Sequence, residues 1–227
     1  MTSRPQQGTV FLVDLDNTLL NNDVIRVVLE SAVAEAVGVE RAQRFWAIYE
    51  RIREDLDFVS FPEVLDRFSR ECDDLRCMSR VSDALYEFPF AACLYPGALA
   101  ALNHLRSLGR TAILSDGDQL FQRYKIRAAG IEAAVDGQVL VYVHKELERE
   151  DILRRFPAEH YVLLDDKPRI HAAMKRAFGS SLTTVLARQD KYAAERSQTP
   201  APDLVLETIG EASVLALEPL IEAAHEG

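Results

Sequence analysis

From Tyr95 onward the chain alternates short runs of β-branched and leucine residues with segments of helical periodicity, and this alternation is the strongest constraint on its fold. The runs are TAIL at Thr111 to Leu114, VLVYV at Val139 to Val143, YVLL at Tyr161 to Leu164 and TTVL at Thr183 to Leu186. Between them lie segments such as AALNHLRSLG and RIHAAMKRAFG, each ending in glycine, where a left-handed cap is favoured. Strand alternating with helix requires crossover connections, which give a parallel sheet covered on both faces. VFLVDL, near the N-terminus, is a first strand of the same kind.

A helical text separates that strand from the others. Ile25, Val28, Leu29, Ala32, Val33 and Ala36 keep one helical face, closed by Gly38. Phe45, Trp46, Tyr49, Ile52 and Leu56 continue the pattern in a second helix. Pro62 suits a first helical position ahead of Leu65, Phe68 and Cys72, and Met78, Val81, Leu85 and Phe88 mark a fourth helix. The aromatic residues of this stretch read as packing between helices. The division expected is a core of residues 1–20 and 94–227 with an all-helical insertion at 21–93.

Composition narrows the partners. With 227 residues, 48% of them hydrophobic, the chain can bury a core in one domain, or in one domain carrying an insertion. A net charge of −10, with no local run of Lys and Arg, argues against nucleic acid and anionic membranes and leaves small molecules or proteins. No apolar run approaches the ~18 residues of a membrane span, and none of signal-peptide length follows MTSRPQQG, so a cytoplasmic location is expected. Cys72, Cys77 and Cys93 lack paired C-x-x-C spacing and nearby His, which favours buried thiols over a zinc site or a disulfide framework. The sequence carries no reading of oligomeric state.

In open parallel sheets ligands bind beyond the carboxyl ends of the strands. Asp14-Leu15-Asp16-Asn17-Thr18 follows the first run, Ser115-Asp116-Gly117-Asp118 follows TAIL, His144-Lys145 follows VLVYV, and Asp165-Asp166-Lys167 follows YVLL. Taken singly, each has a structural explanation as a helix cap or a solvated turn. Four of them in order, at one edge of one sheet, point to a site.

DLDNTLL, LSDGD, the Lys145 region and LLDDK resemble the four ordered motifs of the haloacid dehalogenase superfamily, whose members are for the most part Mg²⁺-dependent phosphohydrolases. The resemblance covers nearly the whole chain: YPGALAALNHLRSLG resembles the helix entering the second motif, and APDLVLETIGEA resembles the final strand and helix. It implies an α/β, Rossmann-like parallel-sheet core with helices on both faces, and an insertion that acts as a helical cap.

The resemblance also implies roles. Asp14 attacks phosphorus, and Asp16 protonates the leaving oxygen and later deprotonates water. Mg²⁺ is held by the Asp14 side chain, the Asp16 carbonyl and an acid after YVLL; Asp166 is the favoured direct ligand, with Asp165 in support. Thr18 and Ser115 supply hydroxyl groups, Lys145 is a fixed cation beside Asp14, and Asp116 and Gly117 fall where backbone N–H groups face a phosphate. Two like charges roughly 4 Å apart cost about 4 kcal/mol at an effective dielectric of about 20, so four aspartates against Lys145 alone are unstable as written, and a divalent cation plus protonation of one acid relieves the excess.

Departures from the family pattern bear on subtype. Glu146-Leu147-Glu148 follows Lys145 where proline is common, which makes Lys125 and Lys167 possible substitutes for it. Asp16 disfavours a dehalogenase. The absence of lysine between Asn21 and Leu94 disfavours a phosphonate hydrolase that forms a Schiff base from its cap. A phosphomonoesterase acting on a small phosphorylated metabolite remains, with Asn21, Asn22, Arg26, Arg51 and Arg53 as cap candidates for contact with the leaving group. The alternatives are a phosphotransferase or mutase using the same aspartyl-phosphate, a phosphoaccepting signalling domain, and a non-catalytic binding protein.

Overall fold

The computed structural model describes residues 8–56, 58–72, 75–189 and 199–220. Six parallel strands form one sheet: β1 (Thr9–Val13), β2 (Arg110–Asp116), β3 (Val139–Tyr142), β4 (His160–Asp165), β5 (Leu182–Ala187) and β6 (Leu204–Leu206), in the order β3-β2-β1-β4-β5-β6. β1 lies at the centre, with Val10 opposite Arg110 on one side and Thr9 opposite His160 on the other. Every residue of β1 is buried, as expected for a strand covered on both faces.

The period of two along β1 divides the core. Phe11 and Val13 point to one face, Val10 and Leu12 to the other, and each pair joins a separate apolar cluster. The second face is covered by α8 (Arg149–Arg155) and α9 (Pro168–Phe178) through Ile152, Ile170 and Met174. The first face meets α5 (Ala98–Leu108), α6 (Gln119–Ala128) and the short α7 (Ile131–Ala134), and its cluster runs on into the helical insertion.

That insertion lies between β1 and β2 and contains α1 (Asn22–Val37), α2 (Val39–Leu56), α3 (Phe61–Ser69) and α4 (Leu75–Tyr86). Asn21 accepts a hydrogen bond from the Val24 N–H at 3.0 Å and Ser60 accepts one from Glu63 N–H at 3.3 Å, which caps α1 and α3. The buried faces are narrower than the sequence predicts. On α1 they are Ile25, Leu29 and Val33, spaced i, i+4, i+8, whereas Val28 is 45% exposed. On α2, Ala42, Phe45, Ile48 and Ile52 are buried; Trp46 and Tyr49 pack at the margin of the core, and Leu56 faces solvent. Cys72, Cys77 and Cys93 are buried thiols.

Two local expectations are corrected. Gly109, after α5, is not a left-handed cap: its φ of −168° is extended backbone open to any residue. Glycine is needed there because a Cβ would lie 2.6 Å from the Thr9 carbonyl oxygen and 3.1 Å from the Phe11 ring. The expected final helix is a 3₁₀ segment, Ile209–Val214, capped by Thr208 and Glu211. Its apolar pair Ile209 and Ala212 is spaced by three, which suits three residues per turn, and both are buried. No helix among the described residues is long and apolar enough to cross a membrane.

Candidate active site

The sheet order reverses direction at β1, so the crevice above its carboxyl end, between β1 and the neighbouring β2 and β4, is where a ligand is expected. Asp14 follows β1, Ser115 and Asp116 close β2, Lys145 follows β3, and Asp165 and Asp166 lie at the end of β4. The geometry brings these segments together around Asp14.

Lys145, wholly buried, is the hub. Its Nζ lies 2.5 Å from Asp14 Oδ1, 2.6 Å from Asp165 Oδ2 and 3.3 Å from the Leu114 carbonyl, to which it donates. Burial works against this ammonium, but the carboxylates of Asp14, Asp165 and Asp116 outweigh it and hold its pKa well above the ordinary lysine value. The Asp116 side chain adds a role that the sequence did not show: its Oδ1 accepts the Lys145 backbone N–H at 2.8 Å and so fixes the loop that aims the lysine. Thr18 Oγ1 donates to Asp14 Oδ2 at 3.2 Å, which occupies the other oxygen.

Of the two carboxylates sharing Lys145, Asp14 is pushed up to about 6, because it is desolvated and faces Asp165, effects that Lys145 only partly offsets. Asp165 goes the other way: burial raises it, and Lys145, His171 and Lys167 together pull it below the ordinary value. Its Oδ1 also accepts the Lys167 N–H at 2.9 Å, and its carbonyl meets His171 Nε2 at 3.0 Å. Asp14, Asp165 and Asp166 each place a carboxylate oxygen within 4.8 Å of the others, all three residues buried. This donor set, three buried carboxylates, is all hard oxygen, the ligand type that a cation such as Mg²⁺ takes.

Asp16 is handled separately. Gln122 Nε2 donates to its Oδ2 at 2.8 Å and Lys125 Nζ to its Oδ1 at 2.5 Å. Burial favours the neutral acid, but Lys125 and Gln122 prevail and hold the Asp16 carboxyl below its usual range. The site therefore carries Lys125, Lys145 and Lys167 rather than Lys145 alone, and Lys125 serves Asp16 without replacing Lys145. Gln122 also donates to Ser115 Oγ at 3.1 Å and to the Asp116 carbonyl at 2.8 Å. Neither Gln122 nor the Lys125–Asp16 pair was legible as part of the site: they sit at i, i+3 on a helix that reads as an ordinary amphipathic one.

Gly117 departs from expectation. Its N–H donates to the Tyr142 carbonyl at 2.7 Å, a bond that ties the loop to the end of β3 rather than facing the cleft. Its φ of +129° and the 3.0 Å from a virtual Cβ to Gln122 Cγ explain the glycine. Asn17 turns the chain after β1 at φ 63°, with its Oδ1 accepting the Asn22 N–H at 2.9 Å.

Beside these buried groups lies a cleft of about 470 Å³ bounded on the sheet side by Asp16, Asp116, Lys125 and Lys167, and on the insertion side by Tyr49, Arg53 and Phe61. Asn22 lines it as well; Asn21 caps α1, and Arg26 lies over the Trp46 and Tyr49 rings and pairs with Glu30 and Glu50. Arg51 is exposed and does not line the cleft. A larger cavity, about 690 Å³, sits at the opposite end of the sheet beside Thr9 and Arg110, away from this chemistry.

The family model of haloacid dehalogenase-like hydrolases matches residues 9–155, well over half of the chain. The chain belongs to that family. A solved structure from Burkholderia xenovorans LB400, described as a haloacid dehalogenase-like hydrolase, is 41% identical to this family member, with a TM-score of 0.84, and covers 93% of this chain and 100% of its own. The HAD-hydrolase YfnB of Bacillus subtilis, bound to magnesium, shares the fold at 16% identity and a TM-score of 0.62, covering 91% and 97% of the two chains. So does the L-2-haloacid dehalogenase of Xanthobacter autotrophicus with chloropropionic acid covalently bound, at 15% identity and a TM-score of 0.54, covering 90% and 96%. None of the curated proteins matches the chain. This haloacid dehalogenase-like hydrolase thus has the parallel-sheet α/β fold of the family, and the matched segment stops short of Asp165 and Asp166.

Proposed function

We propose that this hydrolase is a Mg²⁺-dependent phosphomonoesterase acting on a small phosphorylated metabolite, with residues 1–20 and 94–227 as the catalytic core and 21–93 as its cap. The observation that carries the reading is the meeting of Asp14, Asp165 and Asp166 within 4.8 Å, with Lys145 between the first two. Such a cluster suits a hard divalent cation and the dianion it would bring. Asp165 is already engaged by Lys145 and the Lys167 N–H, which favours Asp166 as the direct ligand beside Asp14 and the Asp16 carbonyl. Bound Mg²⁺ supplies positive charge that lowers the repulsion between an anionic ester and a carboxylate nucleophile.

Asp14 attacks phosphorus with a carboxylate oxygen, the ester P–O bond breaks, and the leaving oxygen takes a proton from Asp16, which must first take one up from solvent against the preference of Lys125 and Gln122 for its ionised form. In the second step Asp16 removes a proton from water as the water oxygen attacks the same phosphorus, releasing inorganic phosphate and restoring Asp14. Lys145 holds the attacking carboxylate and Thr18 orients it. Ser115 lies beside Asp116 and Gln122, where its hydroxyl is buried. The cap side of the cleft, with Tyr49, Arg53 and Phe61, covers the leaving group and excludes water.

The test is phosphate release from p-nitrophenyl phosphate. Activity that requires Mg²⁺ and is abolished by EDTA supports the reading, and Asp14→Asn lowers kcat by at least about 10³-fold while weakening Mg²⁺ binding in calorimetry. An Asp14→Asn variant of unchanged activity ends it. Because L-2-haloacid dehalogenases share the fold, 2-chloropropionate is the second substrate to try. Chloride release without phosphate release reassigns the enzyme to carbon–halogen cleavage, whereas transfer of phosphate to an added sugar makes it a phosphotransferase.

A further inference from the structure

α6 presents one face to the helical insertion and another to Asp16. On the first, Phe121 and Phe61 have ring centroids 4.3 Å apart, Tyr124 and Tyr86 5.0 Å apart, and Ser60 Oγ donates to Asp118 at 3.1 Å. On the second, Gln122 and Lys125, one helical turn apart, each donate to a different oxygen of Asp16. The Lys125 side chain is only 6% exposed. A lysine buried to that degree is costly unless it has a fixed anionic partner, and Asp16 is that partner.

We propose that Gln122 and Lys125 are positioning residues for Asp16, a two-pronged support on α6 that fixes the direction in which the Asp16 carboxyl meets the leaving oxygen. The inference rests on the role given to Asp16 in the proposed function. It assigns these two residues no contact with phosphorus and none with the nucleophile. A carboxyl free to rotate would spend little of its time aligned with the departing oxygen, and a proton donor contributes only when it is within hydrogen-bond reach of that atom. The aromatic packing on the other face of α6 keeps the support rigid.

The consequence can be read from the leaving group. p-Nitrophenolate departs without needing a proton, whereas the benzyl alkoxide does not, so loss of positioning must hurt benzyl phosphate far more. The quantity compared is kcat/KM, which reports transfer to Asp14 and not the later hydrolysis. Lys125→Met is expected to lower it about 100-fold with benzyl phosphate and less than about 5-fold with p-nitrophenyl phosphate. Lys125→Arg is expected to recover most of the benzyl phosphate loss, and in an Asp16→Asn background Lys125→Met is expected to cost nothing further. If Lys125→Met fails to fold, Gln122→Leu carries the same comparison. An equal loss with both esters, or a full additional loss in the Asp16→Asn background, overturns the positioning role while leaving the phosphatase reading intact. A wild-type protein that cleaves neither ester overturns both.

Discussion

At the scale of single residues the molecule is dominated by Lys145, a fully buried cation between two buried carboxylates. Removing one partner of such a pair leaves the others buried without compensation. Lys145→Met is therefore expected to lower the unfolding free energy by about 3–5 kcal/mol in the absence of metal, measured by urea denaturation in EDTA. A loss below 1 kcal/mol would mean that Asp14 and Asp165 find other partners or take up protons without strain. The aspartates, Thr18 and Lys145 were legible in the sequence because a parallel sheet presents the residue after each strand at one edge. Gln122 was not, and Lys125 was readable only as a substitute for Lys145 and not as the partner of Asp16, because both lie more than one hundred residues from Asp16 and on a helix face. The same limit applies to Asp116 and Gly117: their position was readable, but which of their atoms would bond to Lys145 and Tyr142 depends on the register of β2 against β3.

Elements are fixed here by close approach as much as by propensity. Gly109 leads from α5 into β2, where a methyl group would collide with the Thr9 carbonyl. Gly109→Ala is expected to cost about 1–3 kcal/mol, as other insertions into packed interiors do. Gly130, at φ +76° with nothing within 4 Å of a virtual Cβ, makes the comparison: alanine there carries only backbone strain, about 1 kcal/mol. Equal losses in thermal unfolding of the two variants would refute the collision. Helices such as α1 to α4 could be read from spacing alone, since their apolar residues recur at three and four. The width of each buried stripe could not, because whether Val28 or Leu56 is covered depends on which neighbour packs there. The 3₁₀ turn at Ile209–Val214 shows the same limit: Ile209 and Ala212 fit either helix type at that spacing, and packing decides.

For the whole molecule, a cation bound only by the folded state contributes to stability by mass action. At one hundred times its dissociation constant, Mg²⁺ is expected to raise the unfolding free energy by about 2.7 kcal/mol, reversed by EDTA, in chemical denaturation. No change on adding the ion would remove the acidic cluster as a metal site. The sheet order has a separate consequence for how the chain is made. β1 pairs with a strand that starts about one hundred residues later in synthesis, Val10 with Arg110, and with another some 150 residues later, Thr9 with His160. At roughly 5–20 residues per second, the apolar TVFLV segment leaves the ribosome about 5–20 s before either neighbour exists to shield it. During that interval only the nascent helices of the insertion can form behind it, and the strand that leads to Asp14 stays open to chaperones and to mispairing with other chains.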